Sequence, residues 1–182
     1  MKTYTAAEVK GQMVKLGIPV PADLHLVGIR NKNHQTNVFD DQLMLINKDL
    51  VITGVGTTVP GTHWLKNLMN PKGTAVLKPG QYVNCWRIGL HNGYEALVQC
   101  APITVYRDKN LDDKVDQIAG TEDKGLFQID IHHAATGVKA WFIDKFSAGC
   151  QVWQDYQIYL KMLQACKDSS QKYFTYTLLN EF

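Results

Sequence analysis

The run GQYVNCWRIGLHNGYEALVQ, residues 80–99, decides the fold class. Gly80–Leu90 and Tyr94–Gln99 read as strands, with His91-Asn92-Gly93 as a tight turn between them. Asn-Gly is the strongest short hairpin signal, because both residues accept the positive φ that such turns demand. The β pattern continues outward in both directions. Gly73–Leu77 precedes the hairpin across a Pro79-Gly80 turn, and Ile103–Arg107 follows it. Leu24–Ile29, the pair Gln42–Asn47 and Asp49–Thr53, and Phe127–Ile131 add further strands. Tyr173–Leu179 closes the chain with β-rich composition.

Helices belong to the two ends. Residues 5–16, within an N-terminal segment 1–20, form an amphipathic helix packed on the domain. Thr5 caps it, Glu8 completes a capping box, and Val9, Met13 and Leu16 share one face before Gly17 and Pro19 end it. A second helix covers Asp155–Lys167, with Asp155 as cap and Tyr156, Tyr159, Leu160, Leu163 and Cys166 as its buried stripe. Asn31–Asn37 reads as turn-forming, and residues 108–124 as a polar, solvated stretch. The expectation is one mainly β domain over residues 1–182 with peripheral helices.

Composition excludes several function classes. The 182 residues fit one domain, and 45% hydrophobic content argues against disorder. Nineteen basic and seventeen acidic residues leave a formal charge of +2, too balanced for a nucleic-acid footprint. The three arginines, Arg30, Arg87 and Arg107, are well separated. No apolar run reaches the eighteen residues of a membrane span, so no integral membrane association is expected. The first residues lack the apolar core of a signal peptide. The four cysteines, Cys85, Cys100, Cys150 and Cys166, form no CxxC pair, and the default reading of each is a small buried hydrophobe.

One of them departs from that default. Strand alternation over Phe127–Ile131 puts Phe127, Ile129 and Ile131 on one face, and Gln128, Asp130 and then His132 on the other. His132 then ends a strand on its solvent side, and His133 faces inward. Ser147-Ala148-Gly149-Cys150 comes just before a turn into the last helix. Glycine allows a sharp turn and leaves room beside the sulfur. Unpaired N–H groups there stabilise a thiolate and receive an oxyanion. An imidazole within reach makes a Cys–His pair for attack on a carbonyl. A core cysteine beside a satisfied surface histidine is the bland alternative.

Ile131-His132, fourteen intervening residues and Ser147-Ala148-Gly149-Cys150 resemble the signature of the L,D-transpeptidase (YkuD-like) catalytic domain. That signature has a histidine at a strand end and then a Ser/Thr-His-Gly-Cys tetrad. Thr57-Thr58-Val59-Pro60-Gly61 also resembles the family's upstream Thr-Pro-Gly turn, and the similarity covers roughly residues 40–155. The resemblance implies a YkuD-like β-sandwich or mixed-sheet domain without a cofactor or metal. It implies action on peptidoglycan stem peptides through a cysteinyl thioester. Cys150 would be the nucleophile and His132 its base. The His133 carbonyl would orient the imidazole, and Ser147, Gly149 and Cys150 would shape the oxyanion site. The chain departs from the pattern at Ala148, which replaces the tetrad histidine, and at Val152, which replaces the usual Arg or Asn. Hydrolysis, with water as acceptor, needs less acceptor recognition than transpeptidation, and both departures also favour a noncatalytic binding domain on the same scaffold. The pattern also resembles small proteins of bacterial virus origin, for which lysis or particle delivery would bring the chain to the cell wall.

Other readings stay open. Asp130, His132 and His133, with His25, His34, His63 or His91, supply ligand types for a metal-dependent amidase or peptidase, although adjacent histidines in a strand point apart. Asp108, Asn110, Asp112 and Asp116 partly imitate a calcium loop, but Asp113 and Ala119 occupy the positions of its glycine and final glutamate. The Gly-rich loop at 54–61 lacks the GK[ST] of a phosphate loop. A noncatalytic domain binding cell-wall peptides or another protein is the remaining class. Trp64, Trp86, Trp141 and Trp153 would line its groove under that reading, but each reads first as a packed or half-buried residue.

Overall fold

The computed structural model describes residues 2–33 and 36–182. His34 and the middle of the expected 31–37 turn lie outside them. Among the described residues the chain forms eleven strands and three helices, so it is mainly β. The arrangement is an eight-stranded closed barrel with a separate three-stranded sheet.

The N-terminal helix α1 (Ala6–Lys15) carries the expected reciprocal capping box between Thr5 and Glu8. Val9 and Met13 are buried, but Leu16 is 55% exposed. Leu16 is the C-cap, and the chain leaves the helix at Gly17 with φ +70°, which carries Leu16 off the buried face. The next strands are β1 (His25–Arg30), β2 (Asp41–Ile46) and β3 (Val51–Thr57), joined as an antiparallel meander. Every residue of β1 and β2 is buried. Leu43 and Leu45 enter the main core, while Met44 and Ile46 meet Val9 and Met13 of α1. A strand covered on both faces shows no hydrophobic alternation. Each such aliphatic side chain contributes about 1.5–3 kcal/mol.

After the short helix α2 (Thr62–Lys66) come β4 (Thr74–Leu77), β5 (Gly80–His91), β6 (Tyr94–Gln99) and β7 (Ile103–Asp108). The β5–β6 hairpin turns at Asn92 (φ +48°) and Gly93 (φ +89°), and His91 pairs Tyr94. The expected solvated stretch 108–124 holds structure of its own. Asp108 is 3% exposed, and β8 (Glu122–Gly125) pairs with β7. Ion pairs from Lys78 to Glu122 and from Arg107 to Asp123 let so polar a segment join the β4–β7–β8 sheet.

Phe127–Ile131 is not a strand. Residues 126–130 are irregular, Gln128 has φ +58°, and β9 spans only Ile131–His133. Side chains take the place of a ladder here. Gln99 Oε1 accepts the N–H groups of Phe127 (2.9 Å) and Ile129 (3.2 Å), and Trp86 Nε1 donates to the Ile129 carbonyl (2.8 Å). The expected turn after Cys150 is instead β10 (Gln151–Trp153), parallel to β9 and antiparallel to β3.

Helix α3 (Tyr156–Asp168) has Asp155 as N-cap. Its buried residues are Tyr159, Met162, Leu163 and Cys166, so Met162 takes the core place expected of Leu160, which is 38% exposed. The last strand, β11 (Phe174–Asn180), lies parallel to β1 and antiparallel to β5 and closes the barrel in the order β1-β11-β5-β6-β9-β10-β3-β2. One apolar cluster runs through the barrel strands, β4, β7 and α3, with Trp86, Trp153, Tyr159, Phe174 and Tyr176 among its members.

Candidate active site

β9 and β10 are parallel neighbours, with Ile131 beside Gln151 and Val152 beside His132. The Gln151 N–H donates to the Asp130 carbonyl at 2.9 Å, which fixes Cys150 against the residue just before β9. Cys150 and His132 accordingly line one cleft of about 1080 Å³. His91, Tyr94, Asp130 and Ala148 line it too.

The Ser147–Cys150 loop is built by local bonds and close approaches. Ser147 Oγ donates to the Cys150 carbonyl at 2.9 Å and accepts the Gly149 N–H at 3.2 Å. Gly149 has φ +129°, and a Cβ there would lie 2.5 Å from the Ala75 carbonyl oxygen. The Thr57–Gly61 turn braces the loop from outside. The Gly61 N–H donates to the Ser147 carbonyl at 2.9 Å, and a Cβ on Gly61 would collide with the Asp144 carbonyl. The Gly149 N–H, expected as an oxyanion donor, is thus committed to the turn.

The nucleophile and base candidates share the cleft without a direct hydrogen bond. Cys150 Sγ accepts the Asp130 N–H at 3.4 Å and donates to the Gln128 carbonyl at 3.5 Å. His132 Nδ1 lies 2.7 Å from the His133 carbonyl and 3.1 Å from the Tyr94 hydroxyl. A carbonyl only accepts, so Nδ1 carries the proton and Nε2 keeps its lone pair. That Nε2 is buried and has no hydrogen-bond partner among the described residues.

His132 was expected to meet solvent, yet it is 2% exposed, and Cys150 is 7% exposed. Burial first, and then the neighbouring His91, holds His132 down to about 3. Burial pushes the Cys150 thiol up to about 12. The resting pair is therefore a neutral thiol and a neutral imidazole. His133 is buried against Tyr94, Tyr156 and Tyr159, yet it lines the same cleft as His132, and burial lowers its pKa as well.

Three side chains that the strand pattern did not assign to this chemistry complete the site. The His91 ring stacks on His132 with centroids 4.2 Å apart and planes 15° apart. His91 Nδ1 lies 2.8 Å from Asp130 Oδ2, while Asp130 Oδ1 accepts the Gln99 N–H at 2.8 Å. Tyr94 bridges to His132, and burial pushes its phenol up to about 12. In sequence His91 and Asp130 are 39 positions apart. The signal that could have joined them is the hairpin turn, which delivers His91 to the end of β5 beside β6 and β9.

Among the described residues no group of three or more His, Cys, Asp or Glu side chains is placed to hold a metal ion. In the acidic loop, Asn110 bonds both Asp112 and Asp116, and Asp108 accepts the Asp116 N–H. Of the tryptophans, Trp86 and Trp153 are core and Trp64 lines the cleft. Trp141 is 75% exposed, against the expectation of packing. No described helix is long and apolar enough to cross a membrane. No family model matches the chain, and no curated protein matches it in sequence.

Proposed function

We propose that this protein is a cysteine-dependent hydrolase or acyl-transferase acting on peptidoglycan stem peptides through a thioester, in the manner of L,D-transpeptidase-like enzymes. The observation that carries the reading is the shared cleft. It holds Cys150 and a histidine whose Nδ1–H is tied to a carbonyl, so that Nε2 is the basic atom. A base oriented by a third group is the arrangement nucleophilic catalysis requires.

The chemistry follows from these groups. The scheme requires that the Cys150 thiol leave the Gln128 carbonyl, by rotation about its Cα–Cβ bond, for His132 Nε2, which has no other partner among the described residues. The thiol proton passes to Nε2 as sulfur attacks the substrate carbonyl. The Cys150 N–H donates to the developing oxyanion. The adduct collapses, the C–N bond breaks, and the imidazolium protonates the leaving amine. Water or a second amine then releases the acyl group. Ala148 contributes no polar group at its own place in the cleft wall, which favours water as acceptor.

One observation favours a second reading, a noncatalytic peptide-binding domain: the thiol is buried and bonded away from His132. Mass spectrometry of defined muropeptides separates the two. The wild-type protein is expected to shorten or exchange stem peptides, and Cys150→Ala to abolish this with an unchanged circular dichroism spectrum. Equal release by the variant would overturn the cysteine mechanism. Binding without turnover by either protein would establish the noncatalytic domain.

A further inference from the structure

We infer that His91, held by Asp130, is a second general base of this site and serves the water that resolves the Cys150 thioester; the inference rests on the acyl-enzyme reading above. The geometry of a base and its orienting group is present twice. His132 gives its Nδ1–H to the His133 carbonyl, and His91 gives its Nδ1–H to the Asp130 carboxylate at 2.8 Å. The carboxylate is itself fixed, since its other oxygen receives the Gln99 N–H at 2.8 Å. In each neutral ring the basic lone pair is then on Nε2. The 15° stack at 4.2 Å holds the two rings parallel and close.

Exposure divides the labour. His132 is 2% exposed and lies with the buried sulfur. The His91 side chain is 17% exposed and reaches the solvent side of the cleft. Among the described residues its Nε2 is met by the amide of Asn92, an exposed turn residue 3.1 Å away, which an incoming water displaces. Asp130 connects the two centres, because its backbone N–H binds Cys150 Sγ while its carboxylate binds His91. Among the described residues, His132, Tyr94 and His133 are further ionisable groups near His91.

The step balances with water as its one added reactant. A water O–H bond breaks, its proton goes to His91 Nε2, and its oxygen bonds to the thioester carbon. The tetrahedral adduct then expels Cys150 sulfur, the C–S bond breaks, and the departing thiolate regains the proton. General bases of this kind contribute about 10²–10⁴-fold.

Intact-protein mass spectrometry during turnover of a defined disaccharide-tetrapeptide muropeptide tests the assignment. His91→Asn and His91→Gln, checked for unchanged melting, are expected to acylate Cys150 at near the wild-type rate and release product about a hundredfold or more slowly. The acyl-enzyme then accumulates, and its breakdown becomes hydroxide-dependent. Loss of acylation and release together gives His91 a positioning role and overturns the inference, as does release at the wild-type rate. Wild-type protein that never forms a Cys150 adduct removes the acyl-enzyme reading and this inference with it. A Cys150 adduct that breaks down unchanged in the His91 variants removes this inference alone.

Discussion

Cys150 shows how far a single residue can be read from its neighbours in sequence. The glycine before it marked a sharp turn, which the structure places before Cys150 and not after it, through the positive φ of Gly149 and the bonds of Ser147 Oγ. The state of the sulfur was not legible, because it depends on groups brought in by folding. Asp130 and Gln128 come from a segment twenty or more positions upstream, and the surrounding burial disfavours a charged thiolate. His91 was visible only as a turn residue and a generic metal-ligand type, since nothing local to residue 91 reports Asp130. A measurable consequence follows from the thiol's environment. Alkylation proceeds through thiolate, and a group whose pKa is raised holds less of it at a given pH. Cys100 is only half-buried, whereas Cys85, Cys150 and Cys166 are buried. At pH 8, without substrate, iodoacetamide is expected to label Cys100 before Cys150, as read by peptide mapping over time. Labelling of Cys150 first would mean that His132 already shares its proton in the resting protein.

At the scale of elements, regular local patterns were legible and substitutions for them were not. The capping box, the Asn-Gly hairpin and the Asp155 cap use contacts within a few residues, and all three occur. Phe127–Ile131 alternates like a strand, but its backbone bonds go to the side chains of Gln99 and Trp86, whose identity as ladder substitutes no periodicity reveals. β8 was hidden for the opposite reason: its charges pair with those of neighbouring strands, so polarity did not mean solvation. The Ser147–Cys150 loop depends on Gly149 in a way that only the β4 backbone explains, through the Ala75 carbonyl. Gly149→Ala places a side chain at φ +129° and against that oxygen. The strained backbone costs roughly 1–3 kcal/mol. Urea unfolding is expected to show that loss, with a larger proportional fall in the proposed stem-peptide turnover, because relief requires the loop bearing Cys150 to move. Full stability and turnover would show that the loop does not need this conformation.

The whole molecule joins the site to a buried charge that neither the loop nor the strands display alone. Arg30, at the end of β1, is fully buried. Its guanidinium donates to Thr58 Oγ1 (2.9 Å), the Thr58 carbonyl (2.6 Å), the Leu77 carbonyl (2.9 Å) and Gln117 Oε1 (3.0 Å). Asp41, at the start of β2, accepts from the Thr58 N–H, the Thr58 hydroxyl and the Asn31 N–H. Thr58 is thus gripped from both sides, and three residues later Gly61 binds the Ser147 carbonyl. The meander of β1, β2 and β3 thereby sets the position of the cysteine loop almost ninety residues further along the chain. Arg30 and Asp41 meet across Thr58 and not in a direct ion pair, so removing the guanidinium leaves the buried Asp41 carboxylate without its opposite charge and the Thr58 and Leu77 carbonyls without its N–H groups, at a cost of about 3–5 kcal/mol. Arg30→Met should therefore lower stability by that order in denaturant unfolding, even though methionine fills much of the space. Arg30→Met with Asp41→Asn should recover a good part of it, since neither buried charge then remains. If the double variant regains stability but not turnover, the grip on Thr58 serves the site as well as the fold. Recovery of both would assign it to the fold alone, because the Thr57–Gly61 turn would then hold the Ser147–Cys150 loop without the guanidinium.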